Sequence, residues 1–508
     1  MKYLDLQNGS DIRGVAISGK AEANITPAST ADIAFGFVTW LSGVSGKKPD
    51  ALHIAVGRDS RITGPALQQI MCEALSVLGA RVSDAGLAST PAMFMSCIFP
   101  QTDCDGAIMI SASHLPSDRN GFKFFEKQKG GLDKADITEI LRTAARGFPE
   151  PCDKSFRGEC RKSPLMDLYS AHLRSLISSG LKQSEEDKPL AGLKIAVDAG
   201  NGAGGFYATE VLAPLGADIS ASQFLEPDGT FPNHSPNPED EAAMSSLCER
   251  VKESGADLGI IFDTDVDRMA VAGSDGRSIA RNGIVALAAL LASNRGIIVT
   301  DSITSTQLHE FLVGRGYEHL RYKRGYRNVI NKAVELNEEG RFCPLAIETS
   351  GHAALKENYF LDDGAYLATK IVVKTAQLKR EGRAIESLIE DLKEPAEAAE
   401  FRLPVLASDF ASYADAVLED LRLMIEKFEG EPASAIRMSL ELPNYEGVRV
   451  NCEAEDFAGW FLIRKSLHDP LMPINIESDC EGGVARIATA LAGMLSKFEG
   501  LDLSLLRD

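Results

Sequence analysis

Leu258-Gly-Ile-Ile-Phe-Asp-Thr-Asp-Val-Asp-Arg268 is an apolar run of strand length that ends in aspartates at alternate positions, Asp263, Asp265 and Asp267. Carboxylates this close repel one another unless a cation lies among them, and hard oxygen donors suit Mg²⁺ or Ca²⁺. An EF-hand loop counted from Asp263 would need Gly and Glu where Arg268 and Ser274 stand, so that reading is excluded. A carboxylate cluster with coordination sites left open suits Mg²⁺ that also binds phosphate. The bland alternative is an exposed acidic turn. It is disfavoured because Met269-Ala-Val-Ala272 resumes the strand at once, which makes the turn short and convergent.

A second strand runs into a polar loop in Gly106-Ala-Ile-Met-Ile-Ser-Ala-Ser-His-Leu-Pro116, followed by Asn120-Gly-Phe-Lys123. A hydroxyl at the carboxyl end of a strand sits where α/β sheets bind ligands. No Gly-x-Ser-x-Gly elbow surrounds Ser113, so a serine hydrolase is not indicated. Beside an acidic cation loop, Ser113 reads as a hydroxyl that carries phosphate, with His114 and Lys123 close in sequence. A third stretch, Ile347-Glu-Thr-Ser-Gly-His352, places Glu348, Ser350 and His352 at alternate positions, which on an extended loop would point one way. Sugars need such mixed donors and acceptors. Arg13, Arg58 and Arg61, the cluster Arg321, Lys323, Arg324 and Arg327, and Arg464 with Lys465 are candidate phosphate holders, since Arg contacts phosphate bidentately.

Around these motifs the chain alternates strand-like and helix-like segments, the pattern of an α/β layer architecture. Leu52–Val56, Arg81–Asp84 and Gly106–Ile110 read as strands, and Pro65–Leu78 and Ala135–Phe148 as helices. Ser178–Pro189 is polar and reads as a linker or exposed hinge. Leu193–Val197 then opens a new strand before the glycine-rich Asp198-Ala-Gly-Asn-Gly-Ala-Gly-Gly205 turn. Ile297–Thr300 opens a third unit, and the Lys/Glu/Ala-rich Gln377–Glu400 reads as its closing helix. Beyond Arg402, strands at Tyr445–Val450, Gly459–Arg464 and Met472–Glu477 and a helix at Val484–Phe498 read as a small α+β domain. The expected division is 1–185, 186–295, 296–400 and 401–508.

With 508 residues the chain is long enough for three to four domains at ~150 residues each. Its formal charge of −20 speaks against bulk nucleic-acid binding and against docking on anionic lipid. A local basic cluster can still hold an anionic small substrate. The nine cysteines contain no Cys-x-x-Cys pair, which fits reduced thiols rather than a zinc ribbon or dithiol site. No apolar run reaches the ~18 residues of a membrane span, and no signal-peptide core is visible, so no membrane association is expected.

Taken together, these residues resemble the α-D-phosphohexomutase family of phosphoglucomutases and phosphomannomutases. Ser111-Ala-Ser-His-Leu-Pro116 is similar to the family's phosphoserine loop, usually Thr-Ala-Ser-His-Asn-Pro. Asp263-Thr-Asp-Val-Asp-Arg268 resembles its Asp-Gly-Asp-Gly-Asp-Arg metal loop. Glu348-Thr-Ser-Gly-His352 resembles its sugar loop, and Arg464-Lys-Ser-Leu-His-Asp-Pro470 its phosphate loop, usually Arg-Ala-Ser-Asn-Thr-Glu-Pro. Asp11-Ile-Arg-Gly14, Val56-Gly-Arg-Asp59, Thr90-Pro91, Gly121-Phe-Lys123, Asp198-Ala-Gly-Asn-Gly202 and Pro227-Asp-Gly229 match in family order.

The resemblance implies an α/β fold with three similar mixed α/β domains and a smaller α+β C-terminal domain around a central cleft. The last of these is expected to be mobile. It implies a mutase that interconverts hexose 1-phosphate and hexose 6-phosphate of glucose or mannose through phosphorylated Ser113 and a bisphosphorylated sugar. Asp263, Asp265, Asp267 and a phosphate oxygen on Ser113 would hold one Mg²⁺. Arg13, His114 and Lys123 would form the acid/base and electrostatic group. Arg268, Lys323, Gly325, Tyr326, Glu348, Ser350, His352, Arg464, Ser466 and His468 would bind substrate. Glucose 1,6-bisphosphate or a similar bisphosphate would activate. A monomer or weak dimer is expected, in the cytoplasm, or in a plastid if a transit peptide has been removed.

The chain departs from the family pattern at Leu115, where Asn is usual, at Leu467 and His468 in the phosphate loop, and at Thr264 and Val266, where glycines are usual. Ile303 falls near a position where some bacterial members place Lys. These departures motivate an alternative, a non-catalytic sugar-phosphate binder or regulator on the same scaffold. Retention of Ser113, Lys123 and all three aspartates argues against it.

Overall fold

The computed structural model describes residues 3–19, 21–149, 157–428, 436–466 and 469–506. The chain forms two compact units, residues 1–294 with 344–390, and residues 295–343 with 391–508.

In the first unit the strands begin where short apolar runs leave a turn. The largest sheet has the order Gln7–Asn8, Asp11–Val15, Arg119–Glu126, Gly106–Ile110, His53–Arg58, Arg81–Leu87, Cys160–Lys162, with Gly130–Gly131 beside Arg119–Glu126. His53–Arg58 runs parallel to both Arg81–Leu87 and Gly106–Ile110. The chain therefore crosses in opposite directions from this strand, and a crevice opens beyond the carboxyl ends of the parallel strands. Ser113 lies just past one of those ends. Buried aliphatic and aromatic side chains, with Phe37 against Phe124 at 4.9 Å between ring centroids, join the sheet to the helices Pro27–Ser45 and Lys134–Ala144. Thr26 caps the first of these helices reciprocally with Ser29.

A second sheet orders Ser278–Ile279, Met269–Ala272, Leu258–Phe262 and Ile195–Asp198. Leu258–Phe262 is parallel to Ile195–Asp198 and antiparallel to Met269–Ala272, with Phe262 opposite Met269. The acidic stretch is thus the turn of a tight hairpin. Leu345–Ile347, Ala353–Leu355 and Leu361–Asp362 form an antiparallel meander.

In the second unit Ile297–Thr300 is parallel to Glu318–Arg321. An antiparallel sheet orders Glu397–Pro404, Leu471–Ser478, Ala458–Ile463, Val448–Glu453 and Arg437–Leu440. Its apolar face is covered by the helices Phe410–Phe428 and Gly483–Leu495.

The structure corrects two expectations. Gln377–Glu400 is not one helix: the helix Gly364–Arg380 stops, and Glu397–Pro404 is a strand whose residues alternate in exposure. Helix-favouring composition there yields to pairing with Leu471–Ser478. The supposed linker at Ser178 begins inside the helix Leu165–Leu181, which buries Tyr169, Leu173 and Ile177. The glycine-rich turn after Asp198 leads into a short π-helical segment, Tyr207–Leu212. Eight cysteines are free thiols, while Cys152 lies outside the described residues. No helix among the described residues is long and apolar enough to cross a membrane.

Candidate active site

The turn after Leu258–Phe262 presents Asp263, Asp265 and Asp267, all buried, with one oxygen from each within 4.8 Å of the others. Lys123, on Arg119–Glu126, reaches Asp265 Oδ2 at 2.8 Å and also bonds Asp267 Oδ2. Thr90 donates its hydroxyl to Asp265 Oδ2 at 2.5 Å. Oδ1 of both Asp265 and Asp267 is buried without a hydrogen-bond partner among the described residues.

Ser113 follows Gly106–Ile110 in left-handed backbone, φ 50°. Its Oγ donates to Asp263 Oδ2 at 2.9 Å and accepts from Arg268 Nη2 at 2.9 Å. The hydroxyl is therefore pinned between a carboxylate and a guanidinium. Arg268 also meets Asp263 through Nε at 3.3 Å and Asn237 Oδ1 through Nη1 at 3.3 Å. A further Arg268 contact goes to His114 Nδ1, which must accept. Burial, with Arg268 and Arg13 nearby, pulls His114 down to about 2, so its ring is neutral. Arg13 sits opposite Gly121 in the sheet and is paired with Asp11 at 2.8 Å.

Burial raises the Asp263 carboxyl well above its ordinary range, and the charges of Asp267 and Asp265 add to this. Burial also acts against the Asp267 carboxylate, but Lys123, His352 and Arg268 outweigh it and hold that group below its ordinary range. Three buried carboxylates crowded together, one of them pushed up by its neighbours' charges, are the electrostatic state that a divalent ion relieves. The unpartnered oxygens and the all-oxygen donor set fit Mg²⁺.

Glu348, Ser350 and His352 lie in the tight turn joining Leu345–Ile347 to Ala353–Leu355, not on an extended loop. The Glu348 amide donates to His352 O at 2.9 Å and Gly351 N to Glu348 O at 3.0 Å, so strand alternation does not apply there. Ser350 Oγ is buried and has no hydrogen-bond partner among the described residues. His352 bonds Asp362 through Nδ1. Burial pulls His352 down, but Asp362 and Asp267 overcome it and raise the imidazole to about 9.

The second unit carries the other expected substrate residues. Lys323 and Gly325 lie between Glu318–Arg321 and the helix Tyr326–Glu338, which Tyr326 opens, and Lys323 is exposed. Arg464 and Ser466 follow Ala458–Ile463, and the Ser466 amide donates to Leu471 O at 3.0 Å. Leu467 and His468 fall outside the described residues. Burial, with Arg324 close by, lowers the Arg464 guanidinium below its ordinary value, the state an arriving dianion would relieve.

Sequence models of alpha/beta/alpha domains I, II and III of the phosphoglucomutase/phosphomannomutase family match residues 5–149, 167–276 and 281–395. The chain belongs to this family. It is 30% identical over 459 residues to a phosphomannomutase/phosphoglucomutase of Pseudomonas syringae, spanning 88% of this chain and 87% of that protein. It is 29% identical over 490 residues to a phosphoglucomutase of Neisseria gonorrhoeae, with 95% of each covered. The crystal structure of a phosphoglucomutase/phosphomannomutase family protein from Burkholderia thailandensis matches 98% of both chains, with a TM-score of 0.77 and 25% identity.

Within this phosphoglucomutase/phosphomannomutase fold, two expected phosphate holders do other work. Arg61 is wholly buried and donates to the carbonyls of Ser113 and Leu115 at 2.5 Å, Pro116 at 2.7 Å and Arg119 at 3.0 Å. It is the brace of the Ser113 loop. Arg321 is spent on Glu441 at 2.6 Å and Ser305 O at 2.7 Å. The role of Thr90 is not legible in the sequence beyond the Ser89-Thr90-Pro91 helix start, which Ser89 caps. Ile303, near the position where Lys occurs in some members, is buried against Trp460 and Leu462.

Proposed function

We propose that this phosphohexomutase interconverts the 1- and 6-phosphates of glucose or mannose through a phosphoserine at Ser113. The observation that carries the reading is Ser113 Oγ held at 2.9 Å from both Asp263 and Arg268, beside carboxylates with free buried oxygens. In the first half-reaction the bond from phosphorus to Ser113 Oγ breaks and a bond from phosphorus to a sugar hydroxyl oxygen forms, giving a sugar bisphosphate, while the proton of that hydroxyl passes to Ser113 Oγ and restores the serine hydroxyl. After the sugar turns end for end, Ser113 Oγ takes the other phosphoryl group.

Arg268 donates to Ser113 Oγ and so stabilises the alkoxide character that grows as the phosphoryl group leaves. Neutral His114 accepts from Arg268 and sets the guanidinium's direction. Lys123 balances Asp265 and Asp267. Asp263, Asp265 and Asp267, with a phosphate oxygen on Ser113, would hold Mg²⁺, which supplies charge neutralisation to phosphoryl transfer. Glu348 and Ser350 would take sugar hydroxyls, and Arg464, Ser466, Lys323 and His468 the phosphate not undergoing transfer. A bisphosphate activator is expected because it reloads Ser113 when an intermediate escapes. The four-part division at 185, 295 and 400 remains our reading of the domains.

A coupled assay with Mg²⁺ and bisphosphate tests this with glucose 1-phosphate and mannose 1-phosphate, for wild type and Ser113→Ala. Turnover that collapses in Ser113→Ala, with a phosphoryl group on Ser113 by intact mass, supports the mutase, and the faster sugar names the substrate. No turnover of either sugar, with Ser113 unmodified, would sink it in favour of a binder.

A further inference from the structure

Val266 sits between two of the aspartates with φ 70° and its side chain fully buried. A β-branched residue in left-handed backbone is an outlier that persists only where its surroundings impose it. The surroundings are specific. The three carbonyls of residues 264–266 are each taken by an amide from a different segment. Ala203 N donates to Thr264 O at 2.8 Å, Thr90 N to Asp265 O at 2.8 Å and Gly364 N to Val266 O at 3.1 Å. The last of these sits where no side chain fits: a Cβ on Gly364 would lie 2.9 Å from Val266 O and from the Arg268 carbonyl carbon and oxygen.

Gly364 is itself fixed. Asp363, the cap of Gly364–Arg380, accepts from Tyr366 N at 2.8 Å, Tyr169 Oη at 2.6 Å and Asn358 Nδ2 at 3.0 Å. The clamp is thus anchored in a helix that carries none of the aspartates.

We infer that Gly364 is a positioning residue for the acidic turn: its amide, with no side chain in the way, holds Val266 left-handed so that Asp265 and Asp267 face one cation. The inference rests on the reading of that turn as a cation site. The amide clamp does the conformational work that a glycine at 266 would otherwise do. Glycine at 266 would adopt the same φ unaided and could shift its carbonyl, so the two positions must be coupled.

The test is a double-mutant cycle of Gly364→Ala and Val266→Gly, read by Mn²⁺ affinity from the paramagnetic signal of free ion and by thermal midpoint. Gly364→Ala is expected to weaken Mn²⁺ binding about tenfold or more, and the double variant to recover part of that loss, since Val266→Gly frees one of the carbonyls that the new Cβ meets but not that of Arg268. Gly364→Ala with wild-type Mn²⁺ affinity, or a double variant no better than Gly364→Ala, would overturn the inference. If Gly364→Ala does not fold, a double variant that folds shows the same coupling, and one that also fails to fold overturns it. Wild type that takes up no Mn²⁺ defeats the cation reading itself, an outcome distinct from wild type and Gly364→Ala binding alike.

Discussion

Tyr169 donates its phenolic hydroxyl to Asp363 Oδ1 at 2.6 Å, and both side chains are buried. Tyr169 lies on the helix Leu165–Leu181, while Asp363 caps Gly364–Arg380. Burial raises Asp363 to about 6, against the pull of Tyr169, the Tyr366 amide and Asn358. One hydroxyl therefore ties an early helix to the start of a late one.

Tyr169→Phe keeps the ring and removes that hydroxyl. It is expected to lower stability by about 1–3 kcal/mol, the cost of a buried acceptor losing a donor. Chemical denaturation would show a lower midpoint with an unchanged slope. A midpoint equal to wild type would mean that another donor replaces the hydroxyl.

Arg61→Lys should separate bracing from binding. A lysine cannot reach four carbonyls from one planar group. The Ser113 loop then loses its fixed position, and kcat is expected to fall about 100-fold with KM little changed, as for a misplaced reacting group. Steady-state kinetics on the preferred sugar phosphate checks it. A KM increase with kcat intact would return Arg61 to the phosphate holders.

His234 faces Asp198 through Nε2 at 3.0 Å and Ser235 O through Nδ1 at 2.8 Å, so both nitrogens can donate. Burial opposes the charged ring, but Asp198 overcomes it and raises the imidazole above its ordinary value. The folded value exceeds the unfolded ~6.5, so this stabilisation is full below about pH 6.5 and is lost as pH rises through the folded value. His234→Gln should therefore lower the melting temperature more at about pH 6 than at about pH 9. A difference that grows with pH would contradict the assignment.

In the second unit Arg449 is buried over the Trp460 ring at 3.6 Å and donates to Glu441 at 2.8 Å, Ser302 O at 2.9 Å and Thr304 O at 3.1 Å. Removing one member of such a pair strands the others. Arg449→Met is expected to cost about 3–5 kcal/mol. Adding Glu441→Gln should return part of that cost. Additive losses in the two denaturation curves would show that the charges do not act as a pair.

What could be read in advance was what short apolar runs announce. Gly106–Ile110, Met269–Ala272 and Ile297–Thr300 appear as strands to the residue, because each is a buried run ended by a turn or polar loop. The Ser113 loop follows the first of these and the acidic turn leads into the second, so both were visible with them. The helix Phe410–Phe428 and the strands Arg437–Leu440 and Glu397–Pro404 were not foreseen, since their amphipathic or mixed patterns gain meaning only against the C-terminal core. Arg61 could not be told from a ligand-binding arginine, because its partners are carbonyls 52 to 58 positions away. Gly364 was invisible for the same reason: its role lies in what its missing Cβ leaves room for.

The three amides that grip residues 264–266 come from positions 90, 203 and 364, so the turn has a consequence for folding order. A peptide spanning the hairpin alone possesses every aspartate and none of the grips. Its turn would close only after contacts of long sequence separation had formed, which are late and slow to assemble. Cation uptake by the nascent chain would then mark completion of the fold rather than nucleate it, and a truncated product would be silent to metal long before it looked unfolded.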